Sequence, residues 1–296
     1  MAETKRGTIL KGVGGWYHVA EDRSGAVYKC NASGRLRLGE FVPAAGDLVT
    51  FEMSGEEGYI TEILPRSNFL LRPAIANLDR LFILASQAPP VTDPYLIDKL
   101  TVISFYNRIE PVVVLMKCDL HRSEELYGAY AGSGIKLVRA SSVSGEGVEE
   151  VRELMRNKTS AFAGNSGIGK SSLLNRIDNS FSLTVGDISE KIERGRHTTR
   201  HVELFSLENG GFAADTPGFS SFDITKMCDI DKLQLQYFFP EIEPFAGSCR
   251  FSDCVHLKEP GCAVTEAMRS GQISASRYES YAKLYGELAL IKSWQN

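Results

Sequence analysis

The chain has no run approaching the roughly 20 apolar residues needed to cross a bilayer; its longest strand-like runs, Leu81 to Ala85 and Val112 to Met116, are short. Met1 to Lys11 lacks the apolar core of a signal peptide, so the expectation is a cytoplasmic protein with no membrane partner. An excess of positive charge is also missing. The formal net charge is −4, which excludes a globally basic nucleic-acid coat and leaves any RNA contact to local patches. Cysteine is sparse, with six in 296 residues, and a chain of this length needs no disulfide staples. Three of the six crowd together with a histidine near the C-terminus, which points to reduced thiols and a metal. Repeats and low-complexity segments are absent as well. What remains is 43% hydrophobic residues with mixed charge, an ordinary globular composition long enough for two or three domains.

Three patterns follow one another along the chain. Gly7 to Lys11, Trp16 to Ala20, Ala26 to Cys30, Asp47 to Met53 and Tyr59 to Leu64 read as short strands between turns. Val49, Phe51 and Met53 alternate with Leu48, Thr50 and Glu52 as a half-buried strand requires, and five such strands suit an OB-type barrel or another small β-barrel. Pro65 to Pro73 reads as a linker. From Leu78 apolar strands (Leu81 to Ala85, Pro111 to Met116, Ile135 to Arg139, Thr159 to Ala163) alternate with helical patterns (Tyr95 to Tyr106, Gly147 to Arg156), the rhythm of a mostly parallel sheet covered on both faces. After Phe222 the strands stop, and Ser274 to Trp294 reads as a helix with a packing stripe of Tyr278, Tyr281, Leu284, Tyr285, Leu288 and Ile291. The expected domains are 1–65, 66–222 and 223–296.

In such sheets ligands lie beyond the carboxyl ends of the strands. There, Gly164-Asn165-Ser166-Gly167-Ile168-Gly169-Lys170-Ser171 fits G-x-x-x-x-G-K-[ST] between an apolar strand and a helical run. Its backbone N–H groups can surround phosphate oxygens, Lys170 can set a cation between the outer phosphates, and Ser171, followed by Ser172, can ligate Mg²⁺. Downstream, Asp215-Thr216-Pro217-Gly218 ends another apolar strand; Asp215 can hold Mg²⁺ through its water shell, and the Gly218 N–H can sense the terminal phosphate. Between them Gly195 to Arg200 forms a polar loop offering a threonine hydroxyl to Mg²⁺, assigned to Thr199 with Thr198 beside it.

Purine choice falls to Lys117-Cys118-Asp119, after the strand ending at Met116, with a companion loop at Ser141 and Ser142. The Asp119 carboxylate can accept both guanine N1–H and the exocyclic amine, a donor pair that adenine lacks. The expected ligands are therefore GTP and GDP. Near the C-terminus, Cys249, Cys254, His256 and Cys262 supply three thiolates and an imidazole, a closed tetrahedral set for one structural Zn²⁺. Cys30, Cys118 and Cys228 read as bystanders.

The nucleotide elements run base motif, second base motif, phosphate loop, first switch, second switch: a rotation of the Ras-like order. With Gly145-Glu146-Gly147 and the Cys/His spacing, they make the chain resemble, over nearly its whole length, the ribosome small subunit-dependent circularly permuted GTPases of the RsgA (YjeQ/YloQ) family. The resemblance implies a multidomain fold: an N-terminal OB-type RNA-binding barrel, a central α/β circularly permuted P-loop GTPase domain and a C-terminal α-helical zinc-binding domain. It also implies a monomeric GTPase that binds the 30S subunit and its 16S rRNA and hydrolyses GTP during late assembly, stimulated by the subunit. The alternative left open by the residues is a GTP-gated RNA-binding module with little turnover and no ribosome specificity. Two positions depart from the usual patterns. Met116 stands where the family and most GTPases have Asn or Thr, which implies weaker guanine-nucleotide binding. Phe219 follows D-x-x-G where the Ras class has its water-orienting glutamine, leaving His197 as the catalytic candidate beside Lys170. The second switch leads almost directly into the C-terminal segment, so movement at Gly218 is expected to tilt the zinc module.

Overall fold

The structure, a computed structural model, describes residues 4–32, 42–71, 73–178, 202–215 and 224–292. Alternating apolar residues in the N-terminal strands β1 (Thr4–Val13), β2 (Trp16–Glu21), β3 (Val27–Ala32), β4 (Leu48–Ser54) and β5 (Glu57–Ile63) turn inward. Ile9, Val19, Cys30, Val49, Phe51 and Ile60 form that interior. The strands close into a barrel in the order β1-β2-β3-β5-β4, with β3 and β5 parallel, the arrangement of an OB-type barrel.

The stretch from Pro65 to Pro73, expected as a linker, contains a strand. Strand β6 (Phe69–Leu71) pairs with β7 (Ala74–Ala76), burying Leu70 and Ile75. Side chains close this small hairpin: Asn68 Nδ2 donates to Leu78 O at 2.8 Å and Asn68 Oδ1 accepts from Leu78 N at 2.9 Å. Arg66 ties it to the barrel through the buried Asp47 carboxylate, at 2.7 and 2.8 Å.

The central sheet has six strands in the order β10 (Lys136–Ala140), β9 (Glu110–Met116), β8 (Arg80–Ala85), β11 (Lys158–Ala163), β13 (Gly211–Asp215) and β12 (Glu203–Ser206). All neighbouring pairs are parallel except β12 against β13. Both faces are apolar, which explains the continuous hydrophobic runs. Leu81, Ile83, Val113 and Leu115 point to one face; Phe82, Leu84, Val112, Val114 and Met116 point to the other. Helix α1 (Pro94–Tyr106), started by the Asp93 cap and Pro94, covers the first face. Helices α3 (Val148–Met155) and α4 (Lys170–Ile177) cover the second. Helix α2 (Glu124–Ala131) and strand β12 have no counterpart in the sequence reading.

The C-terminal segment comprises α5 (Ile224–Met227), a 3₁₀ helix (Lys232–Phe238), α6 (Glu243–Ala246), α7 (Ala263–Arg269) and α8 (Ala275–Lys292). Tyr281, Leu284 and Leu288 on α8 are buried in the same apolar cluster as α1 and the first sheet face, so this segment shares a core with the sheet. None of the described helices is long and apolar enough to cross a membrane.

At the junction of α8 and α1 lies Arg277, wholly buried. Its Nη1 donates to Asp98 Oδ1 on α1 at 2.5 Å, and its Nε and Nη2 donate to the two Glu241 oxygens at 2.6 and 3.1 Å. Tyr130 on α2 also donates to Asp98 Oδ1, and the guanidinium carbon lies over the Tyr130 and Phe239 rings, 5.1 and 4.7 Å from their centroids. Burial raises the Asp98 carboxyl above the usual carboxylate range, with Arg277 pulling it back. Removing one partner of such a cluster strands a buried charge. Arg277→Ala is therefore expected to cost about 3–5 kcal/mol of unfolding free energy at neutral pH, measured by chemical denaturation. With Arg277 gone, Asp98 is raised further, so the penalty should shrink as pH falls and the carboxyl protonates. A loss independent of pH would count against this account.

Candidate functional site

Because β8, β9, β10, β11 and β13 are parallel, their carboxyl ends meet at one edge of the sheet. Met116 is level with Ala140, and Ala163 is level with Ile83. The loops after Met116, Ala140 and Ala163 therefore emerge side by side, although they carry residues from three separate stretches of sequence.

The loop after β11 is shaped by close approaches. A Cβ on Gly164 (φ +156°) would lie 2.8 Å from Leu84 O. A Cβ on Gly169 (φ +107°) would lie 3.3 Å from Met116 Cε. Gly169 is the N-cap of α4 and brings no side-chain acceptor to the first turn. The α4 N-terminus thus presents backbone donors and a positive dipole end at the sheet edge, with Lys170 as its first residue and Ser171 and Ser172 following, both half-buried. That set of groups suits a polyphosphate.

Beside it, Lys117 adopts φ +58° and its Nζ donates to Pro89 O at 2.6 Å. Cys118 is buried, which raises its thiol pKa, and its N–H donates to Ala140 O at 3.3 Å. Asp119 is exposed at the edge. Ser141 is buried, and its Oγ accepts from the Val143 and Ser144 N–H groups at 3.1 Å each. The hydroxyl therefore shapes its own loop, while Ser142 remains half-buried next to it. The two loops are braced by Arg122 Nη1, which donates to both Glu146 oxygens at 2.7 and 2.9 Å. That contact holds the Glu146 carboxyl below its usual range; the pair is half exposed and contributes orientation more than energy. Arg122 was missed in the sequence, where nothing separates it from any other surface arginine. The structure brings Lys117, Asp119, Ser141, Ser142 and Gly164 to Ser172 to one edge. It also puts the backbone of Asp215 at the end of β13, level with Glu203. The expected roles of His197, Thr198, Thr199 and Gly218 fall outside the described residues.

The second site lies in the C-terminal segment. One donor atom each from Cys249, Cys254, His256 and Cys262 lies within 4.8 Å of all the others. Cys249 Sγ and Cys262 Sγ are 3.9 Å apart, and His256 Nδ1 is 3.4 and 3.5 Å from them. Zn–S bonds of about 2.3 Å and Zn–N bonds of about 2.0–2.1 Å in a tetrahedron require edges of about 3.8 Å between sulfurs and about 3.6 Å between sulfur and nitrogen. The side chains fit a structural zinc site on both chemistry and spacing. His256 is wholly buried, and burial lowers its pKa, which keeps the imidazole neutral as a ligand must be. Its ring is aimed by Gln236 of the 3₁₀ helix: with Nδ1 turned to the sulfurs, Nε2–H donates to Gln236 Oε1 at 2.8 Å. Glu259 accepts from the Val255, Leu257 and Lys258 N–H groups at 3.0, 2.9 and 2.9 Å, fixing the ligand loop. Tyr278 and Tyr281 of α8 donate to His256 O at 2.8 Å and Val255 O at 3.1 Å. Gln236 gave no local signal because it lies 20 residues before His256.

A family model described as RsgA GTPase matches residues 63–225, and one described as RsgA N-terminal domain matches residues 6–60. Both stop short of the Cys/His cluster. The chain is 43% identical over 290 residues to the small ribosomal subunit biogenesis GTPase RsgA of Caldanaerobacter subterraneus subsp. tengcongensis, covering 97% of this chain and 96% of that one. It is 40% identical over 294 residues to the protein of the same name from Ruminiclostridium cellulolyticum, covering 98% and 95%. The crystal structure of YjeQ from Thermotoga maritima matches with a TM-score of 0.82 at 33% identity, covering 97% of this chain and 99% of that one. That of YloQ, a circularly permuted GTPase, matches with a TM-score of 0.80 at 33% identity, covering 97% and 96%.

If Gln236 orients the histidine ligand, Gln236→Ala should retain the fold but bind zinc about 10–100-fold more weakly in competition with a chromogenic chelator. Zinc affinity equal to that of the unmodified chain would show that the 2.8 Å contact is incidental.

Proposed function

The chain belongs to the RsgA GTPase family, and on that premise we propose that it binds GTP, hydrolyses it to GDP and phosphate, and does so on the 30S ribosomal subunit during late assembly. The observation that carries this reading is the convergence of the 117–119 loop, the Ser141 loop and the Gly164–Ser171 loop on one edge of the sheet. Relatives matched over almost their whole length are named small ribosomal subunit biogenesis GTPases, which supports the choice of partner.

Guanine is held by the Asp119 carboxylate, which accepts from N1–H and the 2-amine, with Lys117, Ser141 and Ser142 around the base. The phosphates lie in the Gly164 to Ser171 loop against the α4 N-terminus and Lys170. Ser171, Thr199 and Asp215 are the residues that would hold a Mg²⁺ ion, which would supply charge neutralisation for the phosphates. Gly218 reports the terminal phosphate. His197 orients the attacking water, because the Phe219 ring has no donor or acceptor to do so. Isolated turnover is slow because water and His197 seldom meet in productive geometry; the subunit stimulates it by ordering that geometry. The domains are assigned as 1–65 for the barrel, 66–222 for the GTPase and 223–296 for the zinc module. The barrel and the zinc module contact 16S rRNA, and the protein acts as a monomer in the cytoplasm.

Two measurements test the reading. Asp119→Asn is expected to shift preference from GTP to xanthosine triphosphate, because an amide can donate to the xanthine 2-oxo group; unaltered purine preference would remove Asp119 from the base site. Phosphate release from GTP should rise on adding 30S subunits and not on adding 50S subunits or free RNA. His197→Ala should lose that rise while GTP affinity stays intact. A flat response to 30S subunits in the unmodified protein would favour the RNA-binding alternative.

A further inference from the structure

Met116 belongs to the base motif by sequence but touches the phosphate loop in space. It ends β9 and is 1% exposed. Its terminal methyl lies where a Cβ on Gly169 would come within 3.3 Å of it. Ile168, also 1% exposed, lies in the same apolar cluster, and its Cγ2 would be 3.4 Å from a Cβ on Gly164. Leu84, at the end of β8, closes the other side against Gly164. Leu84 and Met116 face the same side of the sheet, towards α4. The loop therefore rests on an apolar floor of Leu84 and Met116, with the buried Ile168 side chain in the same cluster.

The thioether of Met116 carries no donor and only a weak acceptor, so it offers the loop no strong hydrogen bond. It can act by shape. Gly169 is the α4 N-cap in a left-handed conformation, and whatever supports it from below sets the height of the first α4 N–H groups and of Lys170. We infer that Met116 is a positioning residue for the phosphate site, propping Gly169 by contact, and that it sets nucleotide affinity through the phosphates and not through the base. Its departure from the Asn/Thr pattern then substitutes one means of support for another. This inference rests on the proposed guanine-nucleotide reading.

The test compares equilibrium binding of GTP, GDP and ITP to the full chain and its variants. ITP lacks the 2-amine, so the GTP-to-ITP affinity ratio reads contact with the base, while the absolute affinities read the phosphate site. Met116→Ala is expected to weaken all three ligands alike, by about tenfold, with the ratio unchanged, and Met116→Leu to stay within about threefold of the unmodified chain. If thermal melting shows the alanine variant unfolded, Met116→Val, shorter but still apolar, should give a smaller uniform loss. Affinity unchanged in Met116→Ala, or in Met116→Val where that variant stands in, would overturn the inference, as would a loss accompanied by an altered GTP-to-ITP ratio. An unmodified chain that binds no GTP would instead overturn the reading on which the inference rests.

Discussion

The guanidinium of Arg277 is the contact on which the arrangement of the C-terminal half depends. A buried cation facing two carboxylates is weak evidence for net stability, because desolvation offsets much of the attraction. It is strong evidence for a fixed geometry, since any separation of the partners leaves a charge unpaired in an apolar core. Asp98 comes from α1 on the sheet, while Glu241 and Arg277 come from the C-terminal segment. The cluster thereby pins that segment to one helix, and the aromatic rings of Tyr130 and Phe239 pack against the guanidinium. The zinc ligands inherit this constraint. Arg277 lies on α8 next to Tyr278 and one turn from Tyr281, whose hydroxyls hold the backbone of the ligand loop.

The rotated order of motifs leaves the sheet untouched because strand position is decided by pairing and not by place in the chain. Strand β11 follows β10 in the chain but lies between β8 and β13 in the sheet, where β8 supplies Leu84 beneath Gly164. A parallel sheet needs only that each crossover bury a helix on one face. Moving the chain ends to new loops satisfies that rule as well as the Ras-like order does. What changes is which appendage hangs from which loop: the barrel and hairpin enter at β8, and the C-terminal segment leaves shortly after β13.

Much of this is legible in the amino-acid sequence. The strands of the sheet announce themselves because both faces are buried, so Leu81 to Ala85 and Val112 to Met116 are apolar without interruption. The phosphate loop is legible because its chemistry demands glycines at fixed positions, and the Cys/His set because few residue types can serve. The hairpin at β6 and β7 was not legible: three-residue strands flanked by prolines have no period to detect, and the decisive contacts are made by Asn68 and Arg66, polar residues that look like linker. Strand β12 is four residues long and is specified by its antiparallel partner. The Arg277 cluster was invisible in principle, since Asp98 stands 179 positions away and each of its members alone resembles a surface charge.

The cluster also weighs on how nucleotide state could reach the zinc module. The residues proposed as the second switch come, in sequence, between Asp215, which ends a strand inside the sheet, and Ile224, which is wholly buried at the start of α5. A tilt of the module that left α1 behind would have to separate Arg277 from Asp98, which are held together in an apolar core. Reversing a two-state equilibrium from 1:99 to 99:1 takes about 5.5 kcal/mol of differential binding in all. The cost of breaking the cluster would add to whatever differential binding such a switch requires. The tilt expected from the order of motifs is therefore the costly route, and a motion that carries α1 and the module together leaves the ion pairs intact.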